Sequence, residues 1–123
     1  MLFFLLSCTA DKVEPEDVLS LTEALSNVEV RAGEIYDPSA LFAGTSAEGQ
    51  IGDYKLYNNK VQFVIQSIRP SAYYMQQGGG ILDADIIRMD GEQGRDAIDE
   101  HSPMAGFGRI LEPESIEILE DGA

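Results

Sequence analysis

The stretch IGDYKLYNNKVQFVIQSI, Ile51 to Ile68, constrains this chain more than any other. Two runs of alternating character flank Asn58-Asn59, and Asn tolerates the backbone conformations of a tight turn better than most residues. A two-residue loop there sets Leu56 opposite Val61, Tyr54 opposite Phe63 and Gly52 opposite Ile65. These positions share one face, which is almost wholly apolar. Tyr57/Lys60, Lys55/Gln62 and Asp53/Val64 share the other, which is mostly polar. Side chains alternate along a strand, so a slip of one residue would invert both faces. The hairpin therefore predicts a sheet with the Tyr54–Phe63 face turned to a core.

The rest of the chain supports a mainly β reading with one or two short helical segments. Pro15 to Asn27 carries Val18, Leu21 and Leu25 near one helical face, with Pro15, Glu16 and Asp17 suited to a first turn. Val28 to Arg31 alternates as a first strand, with Glu34 to Tyr36 as its continuation past the break at Ala32-Gly33. In DPSALFAG, Asp37 is placed to cap, Pro38 to open and Gly44 to end a helical turn. Ile81 to Met89 and Ser115 to Glu120 read as two further strands, separated by a Gly-rich, charged loop over 90–109. Phe107 in that loop is read as a plug at the end of the core. With four or five strands and no strong amphipathic helix, the apolar face lacks a full second layer. An isolated hairpin is marginal in water. The expectation is an antiparallel, β-sandwich-like sheet that is incomplete, the leading part of a larger protein. Asp121-Gly122 is a hairpin turn signal without a returning strand, which points the same way.

The charge excludes one class of partner. The 123 residues carry a formal net charge of −14. No basic patch is available to release counterions from a polyanion, so nucleic acid is not a partner. The lone cysteine, Cys8, excludes an intrachain disulfide framework.

Several residues are candidates for chemistry. Asp83 and Asp85 share a strand face. They are candidates for Ca²⁺ or for an acid–base pair, but no EF-hand spacing follows and a solvated sheet face accounts for them. His101 lies near Asp96, Asp99 and Glu100 in sequence. One histidine among carboxylates is compatible with a metal site, although no second histidine stands at helical spacing. Tyr73 and Tyr74, with Met75, either pack over a sheet end or form a platform for a sugar or a protein. Gly78-Gly79-Gly80 is followed by no Lys-Ser/Thr and opens no helix, so it is not a phosphate cradle. No catalytic residue is assigned.

MLFFLLSC, residues 1–8, resembles the end of a bacterial signal peptide closed by a lipobox, in which the cysteine is lipidated and becomes the mature N-terminus. No Lys or Arg precedes Leu2, so the full signal is expected to begin upstream. The resemblance implies three parts: a signal-peptide remnant over 1–7, a lipidated N-terminus and polar tether over 8–27, and a β-domain over 28–123. Thr9, where an inner-membrane lipoprotein would carry Asp, implies the outer membrane. Further along, EIYDPSALFAGTSAEGQIGDYKLYNNKVQFVIQ, GGGILDADIIRMDGEQGRD and EPESIEILEDGA resemble the N-terminal region of large secreted Gram-negative lipoproteins. Some of these carry metallohydrolase or carboxypeptidase-regulatory-like domains downstream. The resemblance implies an envelope-anchored protein with a non-catalytic β-domain for structure or binding, and the lipid bilayer as a partner through Cys8. The alternative is the first piece of a carbohydrate-active or metal-dependent hydrolase, with Asp83, Asp85, Asp96, Asp99 and His101 contributing to its site.

Overall fold

A computed structural model describes residues 18–122. Cys8, the signal-peptide remnant and the first half of the tether lie outside the described residues. The fold is mainly β. Four antiparallel strands, β1 (Val30–Glu34), β2 (Tyr54–Asn58), β3 (Val61–Ile65) and β4 (Ile81–Ile86), form one open sheet in the order β1-β2-β3-β4. A second, two-stranded sheet joins β5 (Met104–Ala105) to β6 (Arg109–Ile110). Gly106 and Gly108 supply the positive φ that its turn requires.

The β2–β3 hairpin forms with a register two residues from the expected one. Tyr54 pairs with Ile65 and Leu56 with Phe63. The cause is Asn58. Its side-chain oxygen accepts the N–H of Lys60 (2.8 Å) and of Val61 (3.0 Å), which places the loop at Asn59-Lys60. A shift of two preserves every side chain's face. Tyr54, Leu56, Val61, Phe63 and Ile65 still share one side, continued by Ala32 on β1 and by Ala84 and Ile86 on β4.

That side is not the core. Leu56 is 43% exposed, Val30 52% and Ile86 62%. The covered side carries Gly33, Lys55, Tyr57, Gln62, Val64, Asp83 and Asp85, and all seven are buried. Leu21, Ile35, Ala40 and Phe42 pack there with Tyr57 and Val64, flanked by Leu19, Leu25, Leu41, Ala47 and Ile87. The expectation of an inward apolar face is thus overturned, and the nature of the cover explains why. The covering chain comes from 18–25 and 37–50, which are loops apart from one 3-10 turn and a single bridge at Ala43. Loops bring backbone groups that have no ladder partner and must be satisfied when buried. The polar residues of the sheet satisfy them. Lys55 Nζ donates to the Ala40 carbonyl at 3.0 Å, and Asp83 accepts the N–H groups of Glu48 and Gly49 at 2.8 Å each.

Other expectations need correction. Over 18–27 the chain makes bends and a turn, not a helix, with Leu21 nonetheless buried. The turn opened by Asp37 and Pro38 is a single 3-10 turn, Pro38–Ala40, with Asp37 accepting the Ser39 N–H at 2.8 Å. The 115–120 segment is not a strand, although the Asp121 carbonyl accepts the Ala32 N–H at 2.9 Å along the outer edge of β1. Phe107, expected as a plug, is fully exposed on the β5–β6 turn. The other sheet edge is also occupied. Ala97 N–H donates to the Ala84 carbonyl at 2.9 Å, and His101 and Ile81 exchange backbone hydrogen bonds of 2.8 and 2.9 Å.

Candidate binding groove

Two buried carboxylates hold the loops at one end of the sheet. Asp53, fully buried, accepts the N–H and hydroxyl of Ser67 and the Arg69 Nε at 2.9 Å, and the Gln50 N–H at 2.8 Å. A second guanidinium nitrogen of Arg69 reaches its other oxygen. Burial alone would raise its carboxyl. The bonds from Arg69, Ser67 and Gln50 outweigh that and hold it below the usual aspartate range. Asp83 is the opposite case. Burial, with the charges of Asp96 and Asp53, raises its carboxyl despite the two backbone N–H groups. Gly49 makes the close approach to Asp83 possible, because a Cβ there would stand 2.8 Å from the Asp83 Oδ2.

This frame braces the loop that follows β3. Arg69 also donates to the Glu48 carbonyl at 3.2 Å, and Gln66 Nε2 donates to the carbonyls of Arg69 (2.6 Å) and Met75 (2.8 Å). Met75 is buried and pins the loop from beneath. From the side, Glu100 accepts the N–H groups of Tyr74 (2.8 Å) and Met75 (3.0 Å), while Glu48 accepts that of Ala72 (3.3 Å). Burial raises the Glu48 carboxyl, and the neighbouring Glu100 carboxyl adds to the effect. Burial works against Glu100 too, but donors on Ser71, Tyr74 and Met75 hold it below the ordinary range.

The braced loop thrusts two aromatic rings outward. Tyr73 is 64% exposed and Tyr74 83%, with ring centroids 6.4 Å apart and planes inclined by 30°. Their packing over the sheet end, one of the two sequence readings, therefore falls to Met75 alone. Beneath and beside the rings lies a cavity of about 310 Å³, lined by Ser46, Glu48, Leu82, Asp96, Asp99 and Glu100 together with the two tyrosines. A larger concavity of about 880 Å³ separates β1 from the 116–121 segment. It is wide, and residues such as Val18, Leu19, Ala32, Tyr54 and Ile116 make it a gap over the thinly covered face. Polar groups converge in the smaller one, which makes it the better candidate.

The sequence candidates separate into different roles. Asp83 and Asp85 are buried rather than solvated. Asp85 accepts the Arg95 N–H at 2.6 Å and pairs with Arg88 at 2.6 Å. Burial raises its carboxyl, but these bonds outweigh that and lower it. Asp96 accepts the N–H groups of Ala84 and Ile98 at 3.2 Å each, and still lines the groove. Asp99 lines it and is exposed. His101 extends the sheet edge through its backbone and exposes its side chain. Among the described residues, no three His, Cys, Asp or Glu side chains gather as a metal-binding group. Glu48, Asp53, Gln66 and Arg69 were not singled out from sequence. In the sequence Arg69-Pro70 reads only as a strand break, and nothing local to Glu48 marks it. Comparison with protein-family models, with curated proteins and with solved structures finds no match to this chain.

Proposed function

We propose that this chain is a non-catalytic binding module held on a bacterial envelope, at the outer membrane, by lipid on Cys8. The exposed Tyr73–Tyr74 pair above a carboxylate-lined groove carries the binding part of this reading. Aromatic side chains are enriched where proteins bind partners, because one flat face offers much contact area at little entropic cost. The buried aspartates support a non-catalytic role, since Asp53, Asp83 and Asp85 each hold backbone N–H groups in place. The anchor rests on MLFFLLSC and on the resemblance to Gram-negative lipoproteins. One acyl chain binds a membrane only marginally, whereas several on one cysteine would make attachment effectively permanent.

Two measurements test the two halves. Cells fed a fatty-acid analogue are expected to label the wild-type protein and not Cys8→Ala; equal labelling would remove the anchor. For the groove, a panel of soluble oligosaccharides and short peptides of both charges is titrated against the protein. At least one class is expected to bind and to be lost in a Tyr73→Ala/Tyr74→Ala variant that keeps its unfolding temperature. Binding that survives the double substitution would place recognition elsewhere.

A further inference from the structure

We infer that the groove takes an organic cation, a basic side chain or an alkylammonium group, seated between the faces of Tyr73 and Tyr74 and the carboxylates of Asp96, Asp99 and Glu100. The inference rests on the reading of this groove as a binding surface and adds the chemistry of its occupant. Carboxylates alone would amount to an acidic patch of a kind common on a chain with net charge −14. What distinguishes this place is the aromatic pair beside them, held clear of the core by a loop that is itself fixed at Gln66, Glu48 and Glu100.

The lining has one electrostatic sense. Among the described residues it includes Glu48, Asp96, Asp99 and Glu100 and no Lys, Arg or His. Arg69, which donates to the Glu48 carbonyl, is committed to Asp53. Tyrosine faces attract cations through the ring quadrupole, and more strongly where water is partly excluded. An anion would meet only repulsion here. A neutral polyol could use the carboxylates as acceptors, but the lining offers its oxygens few donors beyond Ser46 and the tyrosine hydroxyls. A bare metal ion needs several carboxylates at one point, whereas Asp96 is tied to the Ala84 and Ile98 N–H groups. An organic cation spreads its charge over a larger volume and can meet separated carboxylates and ring faces together. The buried Leu82 on the lining suits a methylene stem or methyl groups. The surrounding negative charge would also steer such a ligand inward.

The test uses the full chain and three probes built on one scaffold: Nα-acetyl-lysine amide, its Nε-trimethylated form, and the neutral isostere with a tert-butyl group in place of trimethylammonium. Binding is followed by NMR shifts of the tyrosine rings, with a maltooligosaccharide as a fourth probe. The trimethylated probe is expected to bind at least tenfold tighter than the isostere, and Tyr73→Ala/Tyr74→Ala to remove that preference. Glu117→Gln, a charge change outside the groove, is expected to leave it intact. An isostere that binds as well as the cation would overturn the inference. So would a cation preference that survives the double substitution, which would mark general attraction to an acidic protein. Binding of the oligosaccharide alone would overturn it and leave the binding-module reading standing. Failure of all four probes to bind would overturn the inference.

Discussion

The two faces of the four-stranded sheet make opposite use of polarity. One carries Lys55, Gln62, Asp83 and Asp85 and is buried. The other carries Leu56, Val61, Phe63 and Ile86 and stands partly in water. Burying polar groups costs free energy unless each finds a partner. For Lys55 and Asp83 the partners are backbone groups of the covering loops, which would otherwise be unsatisfied, while Gln62 donates to the Ile86 carbonyl and Asp85 is held by Arg88 and the Arg95 N–H. The pairing is mutual: a loop can cover this face because the face is polar. The open face is covered at Leu82 and Ala84, which are buried, but stands in water at Leu56, Val30 and Ile86. The difference teaches that a sheet's core side follows from what covers it, and hydrophobicity alone does not decide it.

The largest expected effect is at Asp53. Asp53→Ala leaves the Arg69 guanidinium and the Ser67 and Gln50 N–H groups without their acceptor. Breaking a buried ion pair by removing one partner costs about 3–5 kcal/mol. Chemical denaturation should show a loss of that order, or no folded protein at all. A loss under about 1 kcal/mol would mean that the buried polar network contributes little.

Lys55 comes next and has a pH signature. Burial lowers its amine from the ordinary 10.5 to about 8. The folded state therefore resists protonation more than the unfolded state does. The stability tied to the neutral amine is fully present above about 10.5 and is lost as pH falls through about 8. This group alone should lower stability by about 2–3 kcal/mol across that window. The stability of wild type relative to Lys55→Met, measured by urea unfolding from pH 7 to 10.5, should rise with pH. A difference that stays flat would place the amine in water.

The smallest effects compare the two faces directly. Val64, fully buried, loses two methyl groups in Val64→Ala, at a cost of about 1–3 kcal/mol. Leu56→Ser on the open face should change stability by less than about 1 kcal/mol. Equal losses at the two positions would mean that something covers the open face in solution.

The sequence made the hairpin, its alternation and the mainly β class legible, because a period of two survives any even shift of register. Asp37-Pro38 likewise marked its turn, because capping is a local interaction. The side of the core was not legible. Alternation shows that Tyr54 and Phe63 share a face, but not whether loops or a second layer will cover it. Asp83 and Asp85 looked solvated because their partners, Glu48, Gly49 and Arg95, come from distant segments that carry no mark of that role. Half of the groove was visible, as Tyr73-Tyr74 and the acids of 96–100. The other half, Glu48 and the Asp53–Arg69 brace, exists only through contacts between separated loops.

Thiol accessibility tests which face is the core most directly. In a Cys8→Ser background, single substitutions Leu56→Cys and Ile86→Cys sample the open face, while Gln62→Cys and Val64→Cys sample the covered one. With a water-soluble thiol reagent under native conditions, the first pair should react at close to the rates of the denatured variants. The second pair should be protected at least a hundredfold. Fast labelling at Gln62→Cys and Val64→Cys with protection at Leu56→Cys and Ile86→Cys would contradict the account and restore the apolar face as the core.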